Sequence, residues 1–270
     1  MLKTEQRNPK TMHIDRMETA DMLRTINEEN RAVTEAIDAA IPEITAATEA
    51  IVCSIQNGGR VFYIGAGTSG RLGICDATEC PPTYGVSPKL FTGIIAGGHE
   101  CVFRAAEGEE DDPLRSVKDL EAEGMKKGDV VIGISASGSA AYVIAAMEYA
   151  KKMGATAVSI TNNPDTPLSA AAEIAIVADT GPEVITGSTR MKAGTAQKII
   201  LNMISTAAMI KSGHVYENLM INLRPTNKKL RRRVLSIVCE ILSCDEARAE
   251  ALLDANEWNI RAAVESVKGK

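Results

Sequence analysis

Two short loops rich in glycine and hydroxyl side chains each follow an apolar run. Residues 61–65 lead into Ala66-Gly67-Thr68-Ser69-Gly70, and residues 130–134 lead into Ser135-Ala136-Ser137-Gly138-Ser139. Glycines let the backbone approach a ligand closely, while hydroxyls and helix-start N–H groups can hold an anion. Because neither loop contains Lys or Arg, a phosphomonoester or a sugar fits better than a triphosphate. We call residues 66–70 the first cradle and residues 135–139 the second cradle.

The alternative for the second cradle is simple helix capping, which needs only one hydroxyl. Three serines and a second loop of the same design favour ligand binding instead. The residues predicted to bind substrate are therefore Thr68, Ser69, Gly70, Ser135, Ser137 and Ser139.

The first cradle also matches the G-x-G-x-x-G pattern of dinucleotide-binding proteins through Gly65, Gly67 and Gly70. That pattern expects an acidic residue about 20 positions later to hold the ribose. The next strand-like run, 90–96, is followed by Gly97-Gly98-His99, which offers no carboxylate. No Gly-Lys-Ser/Thr follows the glycines either, so a P-loop is excluded and a nucleotide site remains a minor alternative.

A third polar segment lies before a long apolar stretch that ends near residue 211. It contains Ser188 and Lys192, which would suit an anionic ligand at a helix start, although capping and a solvated charge are the default interpretations. We predict both as substrate-binding residues.

Two glutamates are candidates for acid–base chemistry. Glu79 is followed closely by Pro81-Pro82, which should fix the chain just beyond it, and Glu110 lies in an acidic cluster after the second strand-like run. A single glutamate is most often a surface residue, and the positions of these two after the first two predicted strands favour a catalytic role.

The elements that must position these side chains alternate between strand-like runs and helical segments. Runs at 61–65, 90–96, 130–134, 157–160 and 174–177 predict an α/β fold with a five-stranded parallel sheet flanked by helices. The strand-ending loops should then meet at one edge, where open α/β sheets bind ligands.

The remaining segments are mainly helical. Residues 1–12 should be loose, residues 15–30 and 32–56 should form helices with a break at Pro42, and charged helical sequence begins at Thr226. Trp258 is the predicted core anchor of the last segment. We expect two units, residues 1–225 and a small helical C-terminal module at 226–270.

Composition excludes several classes of function. The 270-residue chain is 45% hydrophobic and carries a net charge of −5, so nucleic acid and acidic membranes are not expected partners. Six cysteines without a C-x-x-C pair predict reduced thiols in the cytoplasm, and three scattered histidines predict no metal site. We see no signal peptide and no apolar run of membrane-spanning length.

Segments 65–73, 76–85, 135–138 and 181–198 closely resemble N-acetylmuramic acid 6-phosphate etherases, a family of the sugar isomerase (SIS) fold related to glucokinase regulatory protein. The longest matching stretches are Glu-Cys-Pro-Pro-Thr-Tyr-Gly, from residue 79, and Gly-Ser-Thr-Arg-Met-Lys-Ala-Gly-Thr-Ala-Gln-Lys, from residue 187. The resemblance extends over nearly the whole chain, from about residue 11.

The resemblance implies a cofactor-free carbon–oxygen lyase that acts as a homodimer in recycling of cell-wall sugars. Its expected reaction releases D-lactate from N-acetylmuramate 6-phosphate and leaves N-acetylglucosamine 6-phosphate. The two catalytic glutamates of the family fall on Glu79 and on Glu110, the latter within Glu107-Gly108-Glu109-Glu110-Asp111. As a hypothesis, Glu110 is the base and Glu79 the acid, although the two roles could be exchanged.

A helix over 70–78 would carry Glu79 roughly 13 Å from the first cradle. Either the Pro81-Pro82 turn folds back, or Glu79 acts beside the cradle of a second subunit. Three other functions compete with etherase activity: a sugar-phosphate isomerase, a non-catalytic sugar-phosphate regulator and a nucleotide-dependent oxidoreductase.

Overall fold

The computed structural model describes residues 1–268 except 107, 224 and 226, so Glu107 of the acidic motif and Thr226, the expected start of the C-terminal module, lie outside the described residues. Five strands form one all-parallel sheet in the order β2-β1-β3-β4-β5. The strands are β1 (Val61–Gly65), β2 (Phe91–Ile95), β3 (Val130–Ile134), β4 (Thr156–Thr161) and β5 (Ile174–Val177). The predicted α/β fold is confirmed.

Helices cover both faces of the sheet. The helices are α1 (Thr19–Glu29), α2 (Arg31–Ala39), α3 (Ile41–Gln56), α4 (Gly67–Tyr84), α5 (Glu100–Phe103), α6 (Pro113–Ala122), α7 (Ala141–Met153), α8 (Pro167–Ala171), α9 (Lys192–Lys211), α10 (Lys228–Leu242), α11 (Glu246–Ala255) and α12 (Ile260–Lys268). The predicted break at Pro42 is confirmed, since α2 ends at Ala39 and α3 begins at Ile41.

The alternation of side chains along each strand divides the core into two layers. Val61 and Tyr63 of β1 pack with α2, α3, α4 and α9, whereas Phe62 and Ile64 face α6 and α7. All four side chains are fully buried. Both faces of a parallel sheet must be covered in this way, which explains why the strands are continuous apolar runs rather than alternating ones.

The N-terminal segment contradicts the prediction that residues 1–12 are loose. Three short 3₁₀ helices, Lys3–Glu5, Pro9–Thr11 and Ile14–Arg16, order it. Thr4 accepts a hydrogen bond from Asn163 (3.0 Å), and Thr11 donates to the carbonyl of Val184 (2.8 Å). The polar composition that predicted a loose tail instead supplies partners for buried polar groups after β4 and β5.

Glu29 connects this segment to the first residue of α9. The side chain is 6% exposed and its carboxylate accepts from Asn8 (2.6 Å), Lys10 (2.9 Å) and Lys192 (2.9 Å). Burial by itself raises the pKa of Glu29, but hydrogen bonds from Lys192, Lys10 and Asn8 outweigh burial and lower the pKa from 4.5 to about 2. The ionised form is therefore part of the folded state.

The C-terminal helices α10–α12 have a hydrophobic cluster of their own. It includes Val234 and Val238 of α10, Leu253 of α11 and Ile260 of α12, and Trp258 packs against it while half-buried. Ile221 and Leu223, which precede α10, belong to the same cluster. A cluster separate from the sheet layers supports the proposal of a small C-terminal module.

In the part of the chain that the structure describes, no helix combines the length and apolarity needed to cross a membrane.

The depressed pKa of Glu29 predicts a pH-dependent contribution to stability. This contribution is complete above pH 4.5 and is lost as the pH falls toward 2, because the carboxylate must then be protonated. We expect Glu29→Gln to lower the free energy of unfolding by about 3 kcal/mol at pH 7, measured by urea titration, since it leaves Lys192 buried without its anion.

The difference between wild type and Glu29→Gln should shrink steadily between pH 5 and pH 3. Glu28→Gln, which changes an exposed neighbour on the same helix, is the matched control and should have little effect at any pH. A difference between wild type and Glu29→Gln that is constant over this range would contradict the assignment.

Candidate active site

The two cradles lie side by side at the carboxyl end of the sheet. Gly65, the last residue of β1, pairs in register with Ile134, the last residue of β3. The chain leaves β1 toward β2 on one side, while β3 continues to β4 on the other. Such a point of divergence is where open α/β sheets form a ligand crevice, so two hydroxyl-rich loops begin beside each other at the place expected for ligand binding.

In the first cradle, the glycines serve two different purposes. Gly67 has a φ of +53° and open space where a side chain would be, so its backbone faces the crevice. Gly70 is packed: a β-carbon there would lie 2.7 Å from the Gly65 carbonyl oxygen and 2.6 Å from Ile95. Its N–H donates to the Ala66 carbonyl (3.3 Å), so Gly70 has a packing role, and its contact with substrate stays a prediction.

The hydroxyl residues of the first cradle differ in exposure. Thr68 is half-buried, whereas Ser69 is 8% exposed and donates to Gln197 of α9 (2.9 Å). Both lie in the first turn of α4, where backbone N–H groups lack partners within the helix and the helix dipole favours an anion. The predicted binding roles of Thr68 and Ser69 remain compatible with this position.

In the second cradle, the three serines form a linked chain of hydroxyls. Ser135 and Ser137 are 3.4 Å apart, and Ser137 and Ser139 are 2.9 Å apart, measured between their Oγ atoms. Ser135 accepts from the N–H of Gly138 (3.2 Å), whose φ of +69° allows the tight turn. Ser135 is buried, Ser137 half-buried and Ser139 exposed, so the row leads from the sheet to the surface.

Glu110 lies next to the first cradle. It is exposed on the 3₁₀ helix Glu109–Asp111 and, with Glu109, lines a cleft of about 110 Å³ that Gly67 and Arg71 also line. Arg71 donates to the carbonyls of Val102 (2.9 Å) and Arg104 (3.2 Å), which fixes the segment that leads to the acidic turn. The structure therefore places one of the two predicted carboxylates in a cleft beside the first cradle.

Glu79 lies elsewhere on the same subunit. Of the two alternatives for Glu79, the structure contradicts a Pro81-Pro82 turn that folds back, because α4 continues to Tyr84 and ends at Gly85 with a φ of +67°. The fixed φ of proline is compatible with a helix, and Pro81 and Pro82 remove backbone N–H donors only from the last turn of α4. At about 1.5 Å per residue, Glu79 lies roughly 18 Å along the helix axis from Gly67.

The side chain of Glu79 is exposed on α4. The neighbouring thiol of Cys80 is buried, and burial followed by the nearby carboxylate of Asp76 raises its pKa to about 12. A protonated thiol is a poor nucleophile, so Cys80 is not a candidate for nucleophilic chemistry.

At the start of α9, the side chain expected to bind an anion is already paired within the protein. Lys192 is 2% exposed and its ammonium is paired with Glu29, so it has a structural role in this conformation. The N–H groups of Lys192 and Ala193 donate to the carboxylate of Glu183 (3.0 and 2.9 Å), which occupies the N-terminus of α9. Ser188 is half-buried in the preceding turn and remains a predicted substrate contact.

Sequence reasoning did not identify Glu183, Gln197 or Asn162 as residues that shape the site. Gln197 is 1% exposed and Asn162 fully buried, and they bond to each other (3.0 Å) behind the first cradle. Gln197 lies within the stretch 187–198 that carries the family resemblance. Its hydrogen bonds join α4, α9 and the loop after β4, and a pattern of neighbouring residues in the sequence does not show that these three segments meet.

Comparisons with known proteins agree with this arrangement. The model of the glucokinase regulatory protein N-terminal SIS domain matches residues 43–151, and the SIS domain model matches residues 115–207. A phosphoheptose isomerase from Francisella tularensis superposes with a TM-score of 0.51 at 20% identity, covering 71% of this chain and 98% of that one, which supports the fold alone.

Two curated proteins are much more similar. An N-acetylmuramic acid 6-phosphate etherase from Aeromonas hydrophila is 51% identical over 261 residues, covering 97% of this chain and 88% of that protein. The protein of the same name from Actinobacillus pleuropneumoniae serotype 5b is 49% identical over 261 residues, covering 97% and 86%. The two adjacent hydroxyl-rich cradles, the glutamate beside them and this identity along the chain lead to one conclusion: the chain belongs to the N-acetylmuramic acid 6-phosphate etherase family.

Proposed function

We propose that the chain cleaves the D-lactyl ether of N-acetylmuramate 6-phosphate by elimination and hydration, with Glu110 and Glu79 as its acid–base groups. The products are N-acetylglucosamine 6-phosphate and D-lactate. The observation that carries the proposal is the position of Glu110 in one cleft with the first cradle, in a chain that belongs to the etherase family.

The chemistry requires a base, an acid and a holder for the phosphate. In the open-chain sugar, the C1 aldehyde acidifies the proton on C2, and Glu110 takes this proton. The electron pair forms the C2–C3 double bond as the C3–O bond breaks, and Glu79 protonates the departing lactate oxygen. Water then adds at C3 and a proton returns to C2, which restores both carboxyl groups.

The second cradle is the proposed phosphate holder. Its serine hydroxyls form a row with Ser139 exposed, and they can donate to phosphate oxygens without a cation. Thr68 and Ser69 lie across the crevice in the first turn of α4, and we assign them to the sugar phosphate as well. The reaction involves no hydride transfer, so the proposal includes no nicotinamide cofactor.

We further propose that the active unit is a homodimer in which Glu79 acts in the partner subunit's crevice. Because α4 is continuous to Tyr84, Glu79 is carried away from its own cradle and stays exposed. A second copy can bring this face of α4 to the crevice that holds Glu110.

The six free thiols of the chain support a reducing location such as the cytoplasm.

Isotope labelling tests the bond that is cleaved. Purified protein incubated with N-acetylmuramate 6-phosphate in ¹⁸O-water should release D-lactate and place the label at C3 of the sugar, after a control for exchange at C1. Mass spectrometry of both products measures this. Label in lactate would mean that a different bond breaks, and no lactate at all would favour an isomerase or a binding regulator.

Substitution of each glutamate tests the acid–base pair. Glu79→Gln and Glu110→Gln should each lower kcat for lactate release by at least 10²-fold, because each removes a proton-transfer group. The Kd of N-acetylglucosamine 6-phosphate should change little, since the cradles are intact. Glu109→Gln is the matched control in the same turn, and an equal loss of kcat there would contradict the choice of Glu110.

Mixing the two variants tests action across subunits. If Glu79 serves the partner's crevice, each hybrid dimer of Glu79→Gln with Glu110→Gln has one site with both glutamates and one with neither. Half of the dimers in an equal, fully exchanged mixture are hybrids, so activity should return to about a quarter of wild type. If both glutamates act within one chain, every site lacks one of them and no activity returns.

A further inference from the structure

A buried set of hydrogen bonds connects the N-terminal segment to the second cradle. The side-chain amide of Asn163, in the loop after β4, donates to the carbonyl of Ala136 (2.9 Å) and to the hydroxyl of Thr4 (3.0 Å). The amide oxygen of Asn163 accepts from the backbone N–H of Thr4 (3.3 Å). Thr4 and Asn163 are 0% and 1% exposed, so neither has bulk water as an alternative partner.

The partners of Asn163 determine which way its amide group faces. The Ala136 carbonyl can only accept, so the NH₂ of Asn163 must face it. The backbone N–H of Thr4 can only donate, so the Asn163 oxygen must face Thr4. A reversed amide would bring two oxygens together on one side and two N–H donors together on the other. Thr4 thereby holds Asn163 in the orientation that binds the second cradle.

The Ala136 carbonyl determines how the next backbone N–H is directed. This carbonyl also accepts from the backbone N–H of Asn162 (3.1 Å), so two donors of the loop after β4 hold it. In a trans peptide the carbonyl and the following N–H point in opposite directions. The N–H of Ser137 therefore points away from that loop. Among the residues that the structure describes, none accepts a hydrogen bond from it, so it can donate to a bound anion.

We propose that Thr4 and Asn163 are positioning residues for the phosphate of the substrate. By holding the Ala136 carbonyl toward Asn163, they keep the N–H of Ser137 available to the anion, beside the serine hydroxyls of the second cradle. A released peptide could rotate and present its carbonyl oxygen, which repels phosphate. This inference rests on the proposed function, since it deepens the assignment of the second cradle as the phosphate holder.

The N-terminal segment is anchored on both sides of Thr4's contact with Asn163. The carbonyl of Thr4 accepts from the N–H of Gly187 (3.2 Å), and Thr11 donates to the carbonyl of Val184 (2.8 Å). Gly187 and Val184 both lie between β5 and α9. The segment thus bridges the chain that follows β4 and the chain that follows β5, which holds Thr4 at a defined position against Asn163.

A purely structural role of these contacts predicts a different kinetic result. Loss of folded protein lowers the concentration of active sites, so the apparent kcat falls while KM and Kd stay the same. Loss of a contact that is equally strong in the ground state and the transition state raises KM and leaves kcat unchanged. The phosphate on C6 is remote from C2 and C3, where bonds change, so the proposal predicts the second pattern.

Thr4→Val removes the hydroxyl that accepts from Asn163 and keeps the shape of the side chain. It should raise KM for N-acetylmuramate 6-phosphate about three- to tenfold, the size expected for one hydrogen bond, with kcat for D-lactate release within about twofold of wild type. The Kd values of inorganic phosphate and of N-acetylglucosamine 6-phosphate, measured by isothermal titration calorimetry, should rise by the same factor. Thr4→Ser keeps the hydroxyl and should hold all of these values within about twofold of wild type.

Thr11→Val is the matched control, because it removes another buried hydroxyl of the same segment, one that bonds to Val184 and not to Asn163. It should leave KM and both Kd values within about twofold of wild type. Asn163→Leu removes the contacts to Thr4 and Ala136 together and should raise KM more than Thr4→Val does. Where Asn163→Leu does not fold, the two Thr4 variants decide.

Several results would overturn the inference while wild type still releases D-lactate and the etherase proposal stands. They are an unchanged KM in Thr4→Val or in folded Asn163→Leu, a rise of KM in Thr4→Ser or Thr11→Val as large as in Thr4→Val, and unchanged binding of inorganic phosphate where the sugar phosphate binds more weakly. Wild-type protein that releases no lactate would remove the proposed function, and the two Kd values would then decide the inference by themselves. Wild-type protein that binds neither ligand would remove both proposals.

Discussion

The in-register pairing of β1 with β3 is the constraint on which the site depends. The backbone hydrogen bonds of a parallel ladder hold Gly65 beside Ile134, so the loops that follow must begin next to each other. Each loop then turns into a helix, and its small residues allow the backbone to approach the crevice. Hydroxyls separated by about 70 positions in sequence become two walls of one site.

The same geometry explains why the two glutamates lie apart. Glu110 follows β2, whose partner is β1, so the acidic turn returns to the first cradle. Glu79 lies on the helix that leaves this cradle, and every residue of a continuous helix increases its distance from the start. A site that uses both groups must therefore be completed by another part of the assembly, which is the physical basis for proposing a dimer.

Helix α9 is the second support of the site. Glu183 occupies its N-terminus, Glu29 ties its first lysine to the N-terminal segment, and Gln197 reaches the hydroxyl of Ser69. These contacts use buried charged and amide groups, which are stable only when each is paired. Lys192, with the charge expected of an anion-binding residue, is thereby committed to Glu29 within the protein.

By itself, the sequence determined the strands, their order along the chain, the helical segments and the two hydroxyl-rich loops, because apolar runs and glycine-rich breaks are local signals. The family motifs in it pointed to Glu79 and Glu110. Only the tertiary structure decided that α4 continues through Pro81-Pro82 and that residues 1–12 are ordered. It also decided that Lys192 is paired with Glu29 and that Gly70 is packed against neighbouring residues. These outcomes depend on partners far away in sequence: Glu29 meets Lys192, and Gln197 meets both Ser69 and Asn162. The role of a buried polar group depends on which partner the fold brings within hydrogen-bond distance. A local pattern of residue types does not show which residues distant in sequence come that close.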